Sequence, residues 1–345
     1  MHPLLFELPA FEAWIAGLLL LLLGGVFFVL GRRVKEGEAA DSGSLWLAGA
    51  CAAGAVALVA VNGFSGLLGP LPIRWFGILV VLGFLAGAKV AAMRNASRGL
   101  LSSEESFDLA FYVLLWGLAG SRMLHVFQHT EEFKGDPLKI LRIWDGGLVW
   151  YGGALAGALY TWYWLAKRGK DLWAVSDSYA LALPLAHAVG RVGCFMAGCD
   201  YGKVVEGGKD ALPWAVHFPN RTTDEGRYTL VPLEFSYDVE NDREVWLHPA
   251  QLYLVLANLL TFGILLWVDR RMAGGSFKGR IVALYFILYA IARGIVEHWR
   301  GDADRGEYFD GAVSFSQIVS VLVLAGGILM YRALAKRGRR EAAAG

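Results

Sequence analysis

One stretch decides the fold class of this chain: residues 283–300, which read ALYFILYAIARGIVEHWR. Its apolar residues, with those just before it, reach the roughly 20 residues that a helix needs to cross a hydrocarbon layer of about 30 Å. Tyr289, Arg293 and Glu297 recur at every fourth position, so in a helix they stack on one face. The stretch therefore predicts a transmembrane helix that carries a polar stripe.

The composition of the whole chain is typical of a membrane protein. Its 345 residues are 56% hydrophobic and 18% charged, against about 25% charged residues in ordinary soluble domains. The net charge of +1 gives no indication of a nucleic-acid partner, and none is predicted. Nine membrane spans are predicted, at about 13–31, 45–68, 74–93, 107–126, 147–167, 177–197, 250–268, 279–300 and 313–334.

The predicted fold is an all-α polytopic membrane protein of about nine transmembrane helices with a small β-containing head outside the cytoplasm. The head is expected from residues 199–249, the one long hydrophilic stretch, with strand-like pieces at 214–218 and 228–237. We expect five segments along the chain. They are an N-terminal extension with two extra spans (1–70), two parts of a core (71–198 and 250–334), the head loop (199–249) and a basic cytoplasmic tail (335–345).

Basic clusters follow spans one, three, five, seven and nine, which predicts that these spans end in the cytoplasm. The N-terminus is then periplasmic and the C-terminus cytoplasmic, and only Lys134, Lys139 and Arg142 compete. Acidic residues precede the first span and basic residues follow it, the reverse of a signal peptide, so we interpret it as a retained helix. The clusters are Arg32/Arg33/Lys35, Lys89/Arg94/Arg98, Lys167/Arg168/Lys170, Arg270/Arg271/Lys278/Arg280 and Lys336/Arg337/Arg339/Arg340.

The polar stripe has two interpretations. Arg293 and Glu297 either form an ion pair that joins helices or reaches the outer interface, or they line an internal cavity that binds an anion. Span six repeats the theme with His187 and Arg191, again four residues apart, in a Gly-rich run. A charged side chain at mid-helix costs about 2.5–3.5 kcal/mol, so such residues are informative.

Two internal arginines indicate a phosphate-bearing ligand. A guanidinium group is always charged and binds phosphate oxygens through paired hydrogen bonds. In a membrane, the obvious anionic ligand is a phospholipid headgroup. Arg191 and Arg293 therefore predict a membrane protein that binds a phospholipid.

Other polar residues of span six have structural interpretations. Asp177 opens this helix, where a partner of the helix N-terminal dipole and a functional carboxylate are equally open. Cys194 and Cys199 form a Cys-x4-Cys pair without a second pair of ligands. We predict that both cysteines are packing residues and that the chain holds no metal and no cofactor.

Several further motifs occur in order along the chain. They are Ile73-Arg-Trp-Phe-Gly77, Gly120-Ser-Arg122, Trp144-Asp-Gly-Gly147, Tyr151-Gly-Gly153, Gly190-Arg-Val-Gly193, Gly202, His248-Pro-Ala-Gln-Leu-Tyr253 and the run from Tyr289 to Arg300. Through these motifs, from about residue 71 to 325, the sequence resembles the prolipoprotein diacylglyceryl transferase family, in a branch with Tyr-Gly-Gly in place of His-Gly-Gly. The first two spans resemble an insertion before the family's first helix.

The resemblance implies a transferase of the bacterial inner membrane. Such an enzyme moves the diacylglyceryl unit of phosphatidylglycerol onto the lipobox cysteine thiol of a prolipoprotein and releases glycerol phosphate. Arg191 and Arg293 match the family's two important arginines, which would stabilise the departing phosphate. The expected catalytic residues are Arg191, Arg293, Tyr151 and His187. The expected substrate-binding residues are Arg191, Arg293, Gly152, Gly153, Gly202, Tyr289, Glu297 and His248.

The chain departs from the family pattern at four positions. The family often has Tyr, His, Asn and Glu, respectively, where this chain has Phe76, Tyr151, Cys194 and Leu254. Free tyrosine titrates near about 10, so Tyr151 is no neutral-pH base, although it can donate a hydrogen bond to phosphate. We hypothesise that His187 supplies the missing basicity. For His248 and for the turn at 144–147, helix-entry and interface-anchoring roles stay open beside substrate binding.

Two other classes of protein compete with the transferase. The four departures motivate a catalytically altered paralogue that binds anionic phospholipid without transferring it. The presence of Arg191, Arg293, Glu297 and Gly202 favours the enzyme instead. A transporter predicts an inverted repeat with broken helices, and the sequence shows no such repeat.

Overall fold

The protein divides into two compact units, His2–Trp75 and Phe76–Gly345, with Met1 grouped with the second. In the first unit, two antiparallel pairs join β1 (Leu4–Leu8) to β4 (Leu71–Arg74) and β2 (Phe11–Glu12) to β3 (Leu67–Leu68). The predicted spans 13–31 and 45–68 lie outside the described residues, except for the two residues of β3. The computed structural model describes residues 4–8, 11–12, 67–68, 71–143, 146–218, 237–238, 243–271, 277–301, 307–308 and 313–344.

From Trp75 onward the described chain is mostly helical. Six of its helices are long and apolar enough to cross a membrane, which confirms the predicted polytopic helical class. The count of nine spans stays a prediction. The seven long helices are α1 (Trp75–Ser97), α2 (Ser103–Gln128), α3 (Trp150–Lys167), α4 (Leu172–Ala197), α5 (Ala250–Arg271), α6 (Arg280–Val296) and α7 (Phe315–Ala344).

The predicted fifth span, 147–167, forms α3, which is not one of the six apolar helices. It has 18 residues, and three tryptophans, three tyrosines and three glycines among them lower its hydropathy. At about 1.5 Å per residue such a helix is about 27 Å long, slightly less than the thickness of a hydrocarbon layer of about 30 Å. Its role as a membrane span therefore stays a prediction.

The last helix is longer than its sequence pattern indicated. The ninth span was expected to end at about residue 334 and to be followed by a solvated tail, whereas α7 continues to Ala344. An exposed ion pair between Arg337 and Glu341, 2.7 Å long and four residues apart, lies on this extension. Such i,i+4 pairs favour the helical conformation of a polar segment.

Large apolar side chains cover the outside of these helices. Leu256 and Leu260 of α5 are 66% and 67% exposed, and Val321 and Leu322 of α7 are 65% and 66% exposed. Contiguous apolar surface of this kind is rare on soluble monomers, because water would face it. The pattern is that of a surface in contact with lipid.

Small residues allow α2 and α3 to pack closely. A Cβ atom placed on Gly120 would collide with the carbonyl oxygen of Gly152 and with Ala156, and one on Gly153 would collide with the Ser121 hydroxyl. Contact between backbones is how helices associate in lipid, where burial of apolar surface offers little advantage. The loop between the two helices is held by Arg122, which donates to four backbone carbonyls, those of Lys139, Ile140, Gly146 and Gly147.

Asp177 has a different structural role from the one expected. We interpreted it as the residue that opens span six, but α4 begins five residues earlier and is capped by Asp171, which accepts from the Ala174 N–H at 2.9 Å. The Asp177 carboxylate instead accepts from the N–H groups of Gly279 (2.9 Å) and Val282 (3.0 Å) at the start of α6. Its dipole partner is therefore the neighbouring helix.

The described part of the predicted head has a small core of its own. Tyr201, Phe218, Val245 and Leu247 are buried together there. Within the described residues, the segment 214–218 forms a single bridge, Val216 to Leu247, and no ladder. A two-residue pair joins β5 (Tyr237–Asp238) to β6 (Arg243–Glu244). Residues 219–236 are not among the residues that the structure describes, so a β-containing head stays a prediction.

Candidate functional site

A tight turn follows α4 and brings an acidic side chain back toward the helix. Gly198 has φ = 72°, the left-handed conformation that ends many helices, and the Cys199 N–H donates to the Cys194 carbonyl at 3.1 Å. Asp200 is left-handed as well, with φ = 56°. Its carboxylate forms an ion pair with Arg191, two turns before the end of the helix.

Asp200 also binds a second arginine. Its Oδ2 accepts from Nη1 of Arg191, and its Oδ1 accepts from Nη2 of Arg300 at 2.6 Å. Arg300 follows a short 3₁₀ turn, Glu297–Trp299, at the end of α6, so this carboxylate joins the ends of two membrane helices. Burial alone would raise the pKa of Asp200, but the two guanidinium groups outweigh it and hold that pKa below its usual range.

A second ion pair links α6 to the start of α7. Arg293 donates through Nη1 to Glu297, as the i,i+4 spacing suggested, and through Nη2 to the Ser316 hydroxyl at 2.9 Å. The other carboxylate oxygen of Glu297 accepts from the Ser314 hydroxyl, also at 2.9 Å. Glu297 is only 2% exposed, so the pair is packed inside the protein.

We call these five side chains, Arg191, Asp200, Arg293, Glu297 and Arg300, the arginine cluster. Arg300 interacts electrostatically with both other arginines, and Tyr289 does so with Arg191 and Arg293. Three guanidinium groups and two carboxylates leave the five side chains with one net positive charge. The cluster is therefore suited to an anion.

His187 lies one turn before Arg191 on α4, against two tyrosines of α6. Its Nδ1 is 3.4 Å from the Tyr285 hydroxyl oxygen, and its ring centroid is 6.1 Å from that of Tyr289. Since Tyr289 also interacts with Arg191, the structure brings His187 to the edge of the arginine cluster.

Gly202 lies between two backbone segments that come from other parts of the chain. It forms an antiparallel bridge with Arg300, and the next residue, Lys203, donates its N–H to the Trp299 carbonyl at 2.8 Å. On the other side, the His248 N–H donates to the Lys203 carbonyl at 2.9 Å. A Cβ on Gly202 would collide with the His248 backbone. Glycine is therefore required for this ribbon, which fixes the backbone of Arg300.

His248 stands where the described head meets α5. Its Nδ1 is 3.1 Å from the Tyr253 hydroxyl, which also accepts from the Trp214 indole N–H at 3.0 Å. The Tyr253 ring packs edge-on against Trp299, with 5.9 Å between centroids. Burial and the nearby charge of Lys203 lower the pKa of His248 below its usual value. His248 is connected to the arginine cluster by backbone contacts. It bonds to Lys203, and the neighbouring Gly202 pairs with Arg300.

Tyr151, Gly152 and Gly153 lie at the start of α3. Tyr151 is 50% exposed, and its ring packs edge-on against Trp150. The two glycines face α2, where they allow the close helix contact. The described contacts of these three residues are with α2 and α3 and not with the arginine cluster, so their roles in catalysis and binding stay predictions.

Two members of the cluster were not among the predicted site residues. Asp200 has a local signal, because it follows a helix-ending glycine by two positions, but that signal does not say which arginine it meets. Arg300 lies three residues after Glu297 and continues the polar face. Its value as a site residue appears only when Asp200 is seen to join it to Arg191.

Comparison with known sequences gives this geometry a context. A family model described as prolipoprotein diacylglyceryl transferase matches residues 64–333. The chain belongs to the prolipoprotein diacylglyceryl transferase family. This confirms the family predicted from the motifs, and with it the class of membrane transferase.

Curated members of the prolipoprotein diacylglyceryl transferase family match over most of their length. Three relatives bear the name phosphatidylglycerol–prolipoprotein diacylglyceryl transferase. The one from Mycobacteroides abscessus is 31% identical over 80% of this chain and 78% of its own. The one from Vibrio vulnificus is 32% identical over 79% of this chain and 92% of its own, and the one from Clostridium tetani 30% identical over 76% and 93%.

Proposed function

We propose that this chain transfers the diacylglyceryl group of phosphatidylglycerol to the lipobox cysteine thiol of prolipoproteins in the bacterial inner membrane, and releases glycerol phosphate. The observation that carries the proposal is the arginine cluster, which gathers three guanidinium groups at the ends of α4 and α6. The names of the relatives supply the two substrates.

The chemistry needs positive charge where the phosphate leaves. The substrate thiol loses its proton, its sulfur attacks the glycerol carbon that bears the phosphate oxygen, and the carbon–oxygen bond breaks. The bonding pair stays on the phosphate oxygen. Fixed positive groups stabilise this developing charge most where little water competes. Arg191 and Arg293 are assigned to this role. Arg300 is proposed to assist them, because it shares the Asp200 carboxylate with Arg191.

The carboxylates of the cluster orient the arginines. An arginine side chain loses conformational entropy when it is held in one rotamer. Because the ion pairs form during folding, this entropy is already lost before substrate binds. Asp200 fixes Arg191 relative to Arg300, while Glu297 and Ser316 fix Arg293. Guanidinium groups held in place in this way can stabilise the phosphate without first having to be ordered.

His187 is proposed as the base that assists loss of the thiol proton. Its position one turn from Arg191 supports this assignment, and free cysteine, with a pKa near 8.5, needs only modest help. Replacement by Gln in a His187→Gln variant is expected to lower the rate while the protein folds normally. Full activity of that variant would remove His187 from the mechanism.

The remaining assignments concern binding. Tyr289 and Glu297 lie beside the arginines and are proposed to bind substrate with them. Gly202 and His248 are proposed to shape the side of the binding site that faces away from the cytoplasm. Tyr151, with Gly152 and Gly153, is proposed to contact the headgroup from α3, where the exposed tyrosine hydroxyl can donate a hydrogen bond.

The competing function is that of a paralogue that binds anionic phospholipid without transferring it. One assay separates the two. Purified protein receives phosphatidylglycerol and a lipobox peptide, and mass spectrometry follows the peptide for the gain of one diacylglyceryl group. We expect that gain. Lipid that stays bound while the peptide remains unmodified would support the paralogue instead.

A matched pair of variants tests the role of the cluster. Arg293→Ala removes a guanidinium of the cluster, whereas Arg98→Ala removes one that pairs with Asp269 at 3.1 Å near the opposite ends of the helices. We expect Arg293→Ala to lower the transfer rate by about 100-fold or more, in the range found when a charge-stabilising donor is removed. Arg98→Ala should retain most of the activity.

A further inference from the structure

The mechanism leaves two thiols beside the arginine cluster unused. Cys194 is buried and Cys199 is exposed. Their sulfur atoms and a carboxylate oxygen of Asp200 all lie within 4.8 Å of one another. The turn after α4 explains the proximity: its hydrogen bonds are those of a Schellman motif, which places the residue just beyond the helix-ending glycine against the last turn of the helix.

The surroundings of the thiols argue against a bound metal ion. Both carboxylate oxygens of Asp200 already accept from guanidinium groups, one from Arg191 and one from Arg300. Nη1 of Arg191 is also 3.8 Å from the Cys194 sulfur. A divalent cation bound by these donors would face two positive side chains at close range. The arrangement suits two sulfurs that react with each other.

We propose that Cys194 and Cys199 form a reversible disulfide, a modification site at the end of α4. By the predicted orientation this end lies outside the cytoplasm, where disulfides form and persist. The oxidant is a disulfide of a small thiol or of a thiol oxidoreductase. The exposed Cys199 sulfur attacks it and releases one thiol, and the Cys194 sulfur then displaces the second thiol from Cys199. Two protein thiols and one external disulfide give one protein disulfide and two external thiols.

The bond would close the turn that carries Asp200. It joins the last turn of α4 to the residue next to Asp200, so the left-handed backbone at Gly198 and Asp200 loses freedom. Amide hydrogen exchange at residues 198–202 should therefore be several-fold slower in the oxidised protein. Formation of this disulfide does not depend on the transfer activity.

One tryptic peptide reports the modification. Cleavage after Arg191 and Lys203 releases residues 192–203, which contain both cysteines and no other cleavage site. The full-length protein in detergent is equilibrated with mixtures of reduced and oxidised glutathione, alkylated and digested. We expect the peptide to pass from doubly alkylated to unalkylated and lighter by two hydrogens as the mixture becomes oxidising, and dithiothreitol should reverse the change.

Three results would overturn the proposal. They are complete alkylation of both cysteines in every mixture, a glutathione adduct that persists on Cys199 beside a free Cys194, and protection of both thiols by zinc ions under reducing conditions.

Variants test the cause of the pairing. In Cys194→Ser, we expect Cys199 to remain as a mixed disulfide with glutathione, because the resolving thiol is gone. Gly198→Ala disfavours the left-handed turn and should lower the ratio of disulfide to dithiol several-fold. Gly169 has φ = 62° at the end of α3 and open space around it, so Gly169→Ala carries the same backbone strain elsewhere and should leave the ratio unchanged. Equal ratios in Gly198→Ala and the parent protein would contradict the role of the turn.

Discussion

Asp200 combines an unusual backbone conformation with two ion pairs. Its φ of 56° belongs to the left-handed region, which Asp and Asn adopt more readily than most other residues with a side chain. Asparagine at this position would therefore preserve the turn while it removes the charge. The contribution of the charge of Asp200 can therefore be measured separately from that of its backbone conformation.

Asp200→Asn is expected to lower kcat/KM for phosphatidylglycerol roughly tenfold or more, because hydrogen bonds to charged groups contribute about 1.5–3 kcal/mol each. If Asp200 positions the arginines, the loss should appear in kcat more than in KM. Asp200→Glu should recover part of it, since the charge returns. Asp136→Asn is the matched control, because Asp136 forms an exposed ion pair with Arg142 at 3.3 Å and should tolerate the change. Equal losses in Asn and Glu variants would argue against positioning by charge.

The same carboxylate should make stability depend on pH. The pKa of Asp200 is lower in the folded protein than its ordinary value of about 3.9. Its stabilising contribution is therefore fully present above about pH 4 and is lost as the pH falls through the lower folded-state pKa. Thermal denaturation in detergent between about pH 3 and pH 6 should show a steeper acid loss for the parent protein than for Asp200→Asn. Parallel curves would contradict this linkage.

Some residues of the site could be predicted from the sequence, and others could not. Tyr289, Arg293 and Glu297 were predictable because helical period alone places them on one face. Asp200 was not, since its partners depend on how a turn directs it and on which helix ends beside it. Asp177 was assigned to its own helix for the same reason: sequence spacing cannot show that the nearest N-terminus belongs to a different helix.

At the scale of elements, the contact between α2 and α3 depends on which glycine meets which backbone. A Cβ on Gly120 would collide with Gly152 and Ala156, whereas one on Gly117, three residues earlier, would meet the Gly153 carbonyl at an ordinary 3.6 Å. The two positions differ only in the space available. They form a natural comparison.

Gly120→Ala is expected to destabilise the protein by about 1–3 kcal/mol, the usual cost of overpacking. Gly117→Ala should be neutral or stabilising by up to about 1 kcal/mol, because alanine favours a helix over glycine. Thermal denaturation of both variants in the same detergent provides the measurement. A destabilised Gly117→Ala or an unaffected Gly120→Ala would show that the helices do not pack this way.

Element boundaries followed the apolar pattern closely where that pattern was strong, as in α5 and α6. The predicted boundaries were wrong where something other than hydropathy determines where a helix begins or ends. The helix α4 begins five residues before the predicted span, because Asp171 caps it there. The end of α7 is polar, and its helical state follows from propensity and local ion pairs rather than from hydropathy.

At the scale of the whole molecule, the orientation in the membrane remains a prediction from the basic clusters. Lys134, 67% exposed, follows α2, and Arg337, 63% exposed, lies near the end of α7. The predicted topology puts Lys134 outside and Arg337 in the cytoplasm. In a background in which all three native cysteines are serine, a membrane-impermeant maleimide added to intact spheroplasts should label Lys134→Cys and not Arg337→Cys. The opposite pattern would invert the topology.

The backbone bridge between Val216 and Leu247 has a practical consequence. It pins both ends of the intervening chain at one point, beside the ribbon that holds Arg300. Lengthening a loop whose ends are already held costs only about 0.6 kcal/mol per doubling. An epitope or a reporter peptide inserted between these two residues, away from the buried Phe218 and Val245, is therefore expected to cost the membrane helices little. For the same reason, mutation and selection can lengthen this stretch while the packing of the membrane helices stays the same.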